Sequence, residues 1–188
     1  RSWGAPQPPF GAGWSHAYSA IAQCPALECT VTLGDGSKNL FVRDTTASPW
    51  IAHNRVDTLT GDVSQYTYSR ANDETRWTIT SGRLSSITQR NGWTMTLAYD
   101  PQGRLASVTN AFGRTLQFGW NAQQRLAFIT TPDGQSLSYG YDAASRLVSV
   151  RHPDGATSGY AWENSQFPAA LTGVWDESGQ RIATYTHD

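Results

Sequence analysis

Lysine is nearly absent from this chain, and charge of either sign is sparse. The 188 residues include a single lysine, Lys38, and charged side chains make up only 15% of the sequence. The arginines are scattered and the net charge is −1, so no polybasic block is available to follow phosphates or an anionic lipid surface. This shortage argues against nucleic-acid binding and against adsorption to a charged membrane.

Long apolar runs and strong helix-forming runs are also missing. No segment approaches the roughly 20 apolar residues that a membrane-spanning helix needs, and residues 1–9 lack the regions of a signal peptide. The chain instead contains 8 Trp, 8 Tyr and 6 Phe among many Thr, Ser and Gly residues. Because aromatic and β-branched residues favour half-buried sheets, we expect an all-β fold with no membrane span.

Only two cysteines are present, Cys24 and Cys29, within the segment QCPALECTV. A structural zinc site needs about four Cys or His ligands, and His16 is the nearest histidine in the sequence. The spacing favours a small disulfide loop in an oxidising compartment, and two reduced thiols are the alternative. We therefore expect no metal site and no cofactor.

A repeat of 21 residues organises the second half of the chain. Three markers keep this step in one phase: a leucine, a glycine and an aromatic residue. The leucines are Leu84, Leu105, Leu126 and Leu147, the glycines are Gly92, Gly113, Gly134 and Gly155, and the aromatic residues are Tyr99, Trp120, Tyr141 and Trp162. Three markers with a common period indicate an array of one repeated supersecondary unit.

Each unit is predicted to be a β-hairpin. In the first, the strand RLSSITQ leads to Asn91-Gly92, a signal for a type I′ turn, and then to the alternating strand WTMTLAY. A second turn, such as 100–103, leads into the next hairpin. Leu84 and Ile87 lie three positions apart, so either a bulge realigns them or both faces of the sheet are covered. The expected architecture is an antiparallel array of hairpins in an open, twisted sheet.

The rest of the chain is less regular. Residues 1–30 are expected to be an irregular lead-in, and 31–81 to form degenerate hairpins, one of them over 31–42. Residues 82–188 are expected to contain about four regular hairpins and one with an insertion near 165–168. We expect one continuous domain whose repeats continue beyond the given sequence, with exposed strand edges that favour self-association.

These motifs resemble the YD repeat of Rhs proteins. GRLSSITQRNGWTMTLAYD and GRLASVTNAFGRTLQFGWN share the pattern G-R-L-x-x-[IV]-T, a central glycine and a closing aromatic pair. The segments RSW, FGAGWSHAY and VTLGDGS resemble the start of an Rhs repeat region. The resemblance implies a strip of sheet that spirals into a hollow shell. In bacterial Rhs proteins and Tc toxin C components the shell encloses a C-terminal toxic polypeptide, and teneurins use a related shell in adhesion.

The resemblance implies a structural, non-enzymatic role in a secreted or cell-surface protein, with further repeats and an enclosed polypeptide as partners. No stretch matches the family's self-cleaving core, so no catalytic residue is carried over. Asp-Gly pairs such as Asp133-Gly134 are explained by turn chemistry. The four histidines have neither metal-ligand spacing nor partners for catalysis, and they are His16, His53, His152 and His187.

The aromatic series leaves a second hypothesis open. Stacked repeats would place Tyr99, Trp120, Tyr141 and Trp162 in one stripe, which could stack against the sugar rings of a carbohydrate or cell-surface partner. The competing explanation is cross-strand packing, in which an aromatic pair contributes about 0.5–1.5 kcal/mol beyond burial. A carbohydrate-binding or adhesion module is therefore the alternative function.

Overall fold

The computed structural model describes Phe10 and residues 14–187, and these residues form an all-β fold without helices. Residues 1–9 and 11–13 of the expected lead-in, including the RSW segment, lie outside the described residues. The strands are β1 (Ile21–Gln23), β2 (Glu28–Thr32), β3 (Lys38–Val42), β4 (Ile51–Ala52), β5 (Thr58–Gly61), β6 (Gln65–Ser69), β7 (Arg76–Thr80), β8 (Arg83–Thr88), β9 (Thr94–Tyr99), β10 (Leu105–Thr109), β11 (Thr115–Trp120), β12 (Leu126–Thr130), β13 (Ser136–Tyr141), β14 (Leu147–Arg151), β15 (Thr157–Ala161), β16 (Gly173–Trp175) and β17 (Arg181–Thr184).

The chain divides into two compact units. One comprises Ser15–Thr115, which we call the sandwich unit, and the other comprises Arg1–Trp14 with Leu116–Asp188, which we call the array unit. The division falls inside the regular repeats.

The sandwich unit contains a four-stranded sheet, in the order β1-β2-β3-β4, and the strands β5 to β10, which pair with their neighbours in chain order. The hairpin predicted over 31–42 is confirmed as β2 and β3. The degenerate hairpins expected over 31–81 also include β6 and β7, which pair antiparallel. The lead-in predicted to be irregular over 1–30 contains β1 and the start of β2, so that part of the prediction is wrong.

The core of the sandwich unit lies between its two sheets. Val31 and Phe41 on the four-stranded sheet and Tyr68 on the longer sheet are fully buried. The rings of Phe41 and Tyr68 meet edge to face with centroids 6.0 Å apart. Complete burial of an apolar side chain of this size stabilises the fold by about 1.5–3 kcal/mol. The irregular part of the sequence therefore supplies half of a two-sheet core.

The array unit consists of strands β11 to β17, each paired antiparallel with the next. The loop from 162 to 172 holds the insertion predicted near 165–168, and the hairpin of β16 and β17 follows it. Buried hydrophobic side chains are fewer than in the sandwich unit, and among the described residues they are Leu126, Leu147 and Ala161.

A bulge in the first strand of each repeat resolves the spacing that the sequence left open. Ile79 pairs with Leu84 while Thr78 pairs with Ser86, so one residue of β8 is unpaired. The same shift recurs opposite β9, β11, β13 and β16. The extra residue returns Leu84 and Ile87 to one face, where both are buried. Of the two possibilities, the bulge is the one that the structure shows.

The hairpin tips are three-residue loops, so the predicted type I′ turns are wrong. The amide of Gly92 donates to the carbonyl of Gln89, whose own amide donates to the carbonyl of Trp93, both at 2.9 Å. Only Gly92 in this loop has a positive φ, of 85°. This is a type I turn followed by one left-handed residue, a geometry that needs one glycine. The same hydrogen bonds occur at Gly134 and Gly155.

Candidate functional site

The recurring residues Tyr99, Trp120, Tyr141 and Trp162 form an aromatic ladder across the repeats. Polar atoms of three of these side chains donate hydrogen bonds within the sheet. The hydroxyl of Tyr99 donates to the carbonyl of Leu84 at 2.7 Å, just beyond the last pair between β8 and β9, which joins Ser86 to Thr96. The array unit repeats this bond from Tyr141 to the carbonyl of Leu126 at 2.7 Å and from the indole of Trp162 to the carbonyl of Leu147 at 2.8 Å. The aromatic residue thus bonds a leucine carbonyl that lies just beyond the last strand pair of its own hairpin.

The ladder hydroxyls stay protonated over the whole physiological pH range. Burial raises the pKa of Tyr99 to about 12, against a smaller opposing effect of the nearby Arg83 guanidinium. Burial also raises the pKa of Tyr141. Both groups therefore remain hydrogen-bond donors, which suits a structural role better than proton transfer.

An aspartate–arginine clamp closes the turn that follows each tyrosine of the ladder. Asp100 accepts bonds from the backbone amide of Arg104 at 2.8 Å and from its guanidinium at 2.7 Å. Asp142 and Arg146 repeat both contacts at 2.9 and 2.7 Å. Burial disfavours the ionised aspartates, but the bonds from arginine outweigh it and lower the pKa of both carboxyls. The Tyr-Asp pair and the Arg-Leu pair of the repeat are therefore one hydrogen-bonded unit.

The four predicted ligand-stacking residues, Tyr99, Trp120, Tyr141 and Trp162, are all half-buried. The more exposed aromatic surface lies elsewhere, at the hairpin tips of the sandwich unit. Trp93 is 53% exposed and Phe112 is 66% exposed, and their rings meet edge to face at 4.9 Å. Sequence reasoning missed this pair because neither residue belongs to the aromatic series that recurs every 21 residues.

Cys24 and Cys29 are joined by a disulfide that closes the loop between β1 and β2, and Cys29 is fully buried. Burial also lowers the pKa of His16 to about 4. Within Phe10 and 14–187, no cluster of three or more His, Cys, Asp or Glu side chains could hold a metal ion. A search of the same residues finds no helix with the length and apolar character to cross a membrane.

The profile of the family described as "RHS Repeat" matches three overlapping segments, residues 80–115, 99–134 and 120–157. Together the matches cover residues 80–157. This range runs from the last residue of β7 to the first of β15, and it includes four of the bulged strands, the ladder bonds of Tyr99 and Tyr141 and both aspartate–arginine clamps. The matched segments are thus hairpins with a fixed bulge and an internally bonded aromatic residue.

No curated protein matches this chain. Solved structures do, at 12–14% sequence identity. "TcdB2-TccC3-Cdc42" is 13% identical with a TM-score of 0.42, and the match covers 85% of this chain and 10% of that chain. "TcdB2-TccC3-TEV" is 12% identical with a TM-score of 0.36, and the match covers 81% of this chain and 10% of that chain. "TcdB2-TccC3 without hypervariable C-terminal region" is 14% identical with a TM-score of 0.40, and the match covers 77% of this chain and 9% of that chain. The chain thus spans about a tenth of the length of these solved chains.

Proposed function

We propose that this chain is a non-enzymatic segment of an RHS-repeat wall that encloses a polypeptide, a toxin or another effector, encoded further along the same protein. The observation that carries the proposal is the constant geometry of the repeat. Leu84, Leu105, Leu126 and Leu147 are all at most 5% exposed, and each is followed by a bulge in the strand. A hairpin with this geometry can be added to the sheet indefinitely, always with its apolar face on the same side.

The two faces of the repeat differ in the way that a wall requires. The leucines and ladder residues share the apolar face, and the opposite face carries hydroxyl pairs. Thr88 and Thr94 lie 3.0 Å apart, and Thr130 and Ser136 lie 2.9 Å apart, measured between their side-chain oxygens. A sheet with one apolar and one hydroxyl-bearing face can separate an enclosed chain from solvent.

A secreted or cell-surface location belongs to the same proposal. The bond between Cys24 and Cys29 supports it, because disulfides persist in oxidising compartments and are rare in the cytosol. The disulfide lies outside residues 80–157, so it is an observation independent of the family match.

Limited proteolysis of the natural gene product tests the enclosure. We expect the polypeptide encoded after the repeats to resist a protease concentration that digests the same polypeptide expressed alone. Leu126→Asp, which places a charge at a buried position, should remove this protection, whereas Phe112→Asp at an exposed tip should not. Rapid digestion of the polypeptide while the repeats stay intact would refute enclosure.

Carbohydrate or cell-surface binding is the second candidate, and the exposed pair of Trp93 and Phe112 is the observation that favours it. Aromatic faces with this exposure can stack against sugar rings. Saturable glycan binding that Trp93→Ala abolishes, or that Trp120→Ala abolishes if the ladder is involved, would support it. Lack of binding across a broad glycan panel would exclude it.

A further inference from the structure

One row of the apolar face is covered in different ways along the repeats. The positions 97, 118, 139 and 160 are equivalent under the 21-residue step and carry Leu, Phe, Tyr and Tyr. In the sandwich unit, Leu97 packs against the buried core. In the array unit, Tyr139 and Tyr160 are half-buried, and aromatic residues from the start of the chain lie against them.

These contacts are made ring to ring. The centroids of Phe10 and Tyr139 are 5.0 Å apart with the rings tilted by 60°, and those of Trp14 and Tyr160 are 5.2 Å apart at 75°. Both pairs have the tilted or edge-to-face geometry that aromatic quadrupoles favour. Each of these two repeats therefore receives one aromatic side chain, at the same position of the hairpin.

The spacing along the chain fits the spacing across the sheet. Tyr139 pairs with Val150, which pairs with Ser158, so Tyr160 lies two strands across and two residues further along. With strands about 4.8 Å apart and a rise of about 3.3 Å per residue, this displacement is roughly 12 Å. Two residues that are four positions apart can span at most about 14 Å. Phe10 and Trp14 therefore have the separation that two successive repeats require.

We propose that β13 and β15 form a binding site for a polypeptide segment with aromatic side chains at positions i and i+4, and that the side chains of Phe10 and Trp14 occupy this site in cis. Each of the two repeats takes one aromatic ring against its tyrosine. The site belongs to the repeats themselves, so it is present whether or not the chain forms a shell that encloses a polypeptide.

The chemistry of the site favours a polypeptide. The structure shows no protein hydrogen-bond partner for the hydroxyl of Tyr139 or Tyr160 within the part of the chain that it describes. Burial raises the pKa of both groups, so both hydroxyls are protonated donors. Apolar rings beside two free donors suit a backbone that offers carbonyl acceptors between aromatic side chains.

A trans-peptide experiment tests the site in the full chain. Phe10→Ala/Trp14→Ala should vacate it, and a labelled peptide of residues 6–16 should then bind, as measured by fluorescence anisotropy up to millimolar concentration. The wild-type chain should bind the peptide at least about tenfold more weakly, because its tethered segment has an effective concentration in the millimolar range. Equal binding to both chains, or no binding to the vacated chain, would overturn the proposal.

Matched variants locate the binding. In the vacated chain, Tyr139→Ala/Tyr160→Ala should weaken binding by about fivefold or more, since each substitution removes one aromatic pair. Tyr185→Ala, at a residue that is 47% exposed, should leave binding unchanged. A peptide with both aromatic residues replaced by alanine should not bind. Binding that survives the double tyrosine substitution would place the peptide elsewhere and contradict the proposal.

A photo-crosslink provides a measurement that does not depend on the alanine variants folding. With p-benzoylphenylalanine in place of Trp14, irradiation should attach the side chain to β15, as mapped by mass spectrometry of the digested chain. The same group at position 93 should not label β15. Labelling from position 14 that is spread over the chain, or that falls on other strands, would overturn the assignment.

Discussion

The sandwich unit and the array unit contain the same hairpin repeat but bury it by different means. In the sandwich unit a second sheet covers the apolar face, and Val31, Phe41 and Tyr68 are fully buried. In the array unit the cover of the equivalent face includes the side chains of Phe10 and Trp14. The comparison shows that the repeat fixes the hairpin, whereas the segments outside the repeat decide how completely its apolar face is buried.

The largest expected effect on stability comes from substituting one phenylalanine in each unit. Phe41→Ala should destabilise the chain by about 3–5 kcal/mol, because it opens a cavity between two sheets. Phe118 of the array unit lies on the apolar face and is only half-buried, so Phe118→Ala should cost less, about 1–2 kcal/mol. Urea-induced unfolding followed by circular dichroism measures both. Equal losses would contradict the difference in burial.

Acid should weaken the sandwich unit through His16. Its pKa is lowered by burial to about 4, so the folded state holds this ring neutral while the unfolded state takes up a proton below about pH 6.5. Stability is therefore complete above pH 6.5 and decreases as the pH falls towards 4, by up to about 3 kcal/mol.

A histidine substitution isolates this effect. Urea midpoints of the His16→Gln variant between pH 7 and 4 should lack this loss, whereas His53→Gln, at an exposed position of the same unit, should retain it. If His16→Gln keeps the full pH dependence, the acid sensitivity has another source.

Removing a ladder hydroxyl should have the same effect in both units. Tyr99→Phe and Tyr141→Phe each leave a leucine carbonyl without its donor, at a cost of about 1 kcal/mol. Tyr185→Phe, at a residue that is 47% exposed, serves as the control and should be close to neutral. Unequal losses at positions 99 and 141 would show that the ladder bond depends on the unit rather than on the repeat.

The smallest expected effect is a gain in stability, and it concerns the turns after the ladder residues. Gly103 has a φ of 78° in the sandwich unit, whereas Gln124 and Ser145 of the array unit hold the equivalent position at 61°. Because left-handed backbone is costly for residues other than glycine, Gln124→Gly should stabilise the chain by roughly 0.5–1 kcal/mol. Gln123→Gly, one residue earlier, should not. A loss of stability on Gln124→Gly in thermal unfolding would contradict this explanation.

The local structure of this protein could be predicted from its sequence. The period of 21 residues, the hairpins and the apolar and polar faces follow from alternation and from residues at fixed positions, because these depend on neighbours along the chain. The turn type was the local error: Asn91-Gly92 fits two kinds of loop, and the hydrogen bond from the Gly92 amide to the carbonyl of Gln89 distinguishes them.

The sequence by itself therefore determined the repeat, its apolar face and its resemblance to Rhs proteins. Only the tertiary structure decided the bulge after each leucine, the bonds from Tyr99 and Tyr141 to leucine carbonyls, and the cover over the apolar face. The physical reason is range. Periodicity indicates which side of a strand a residue occupies. It does not indicate which distant segment, such as β3 or Phe10, packs against that side.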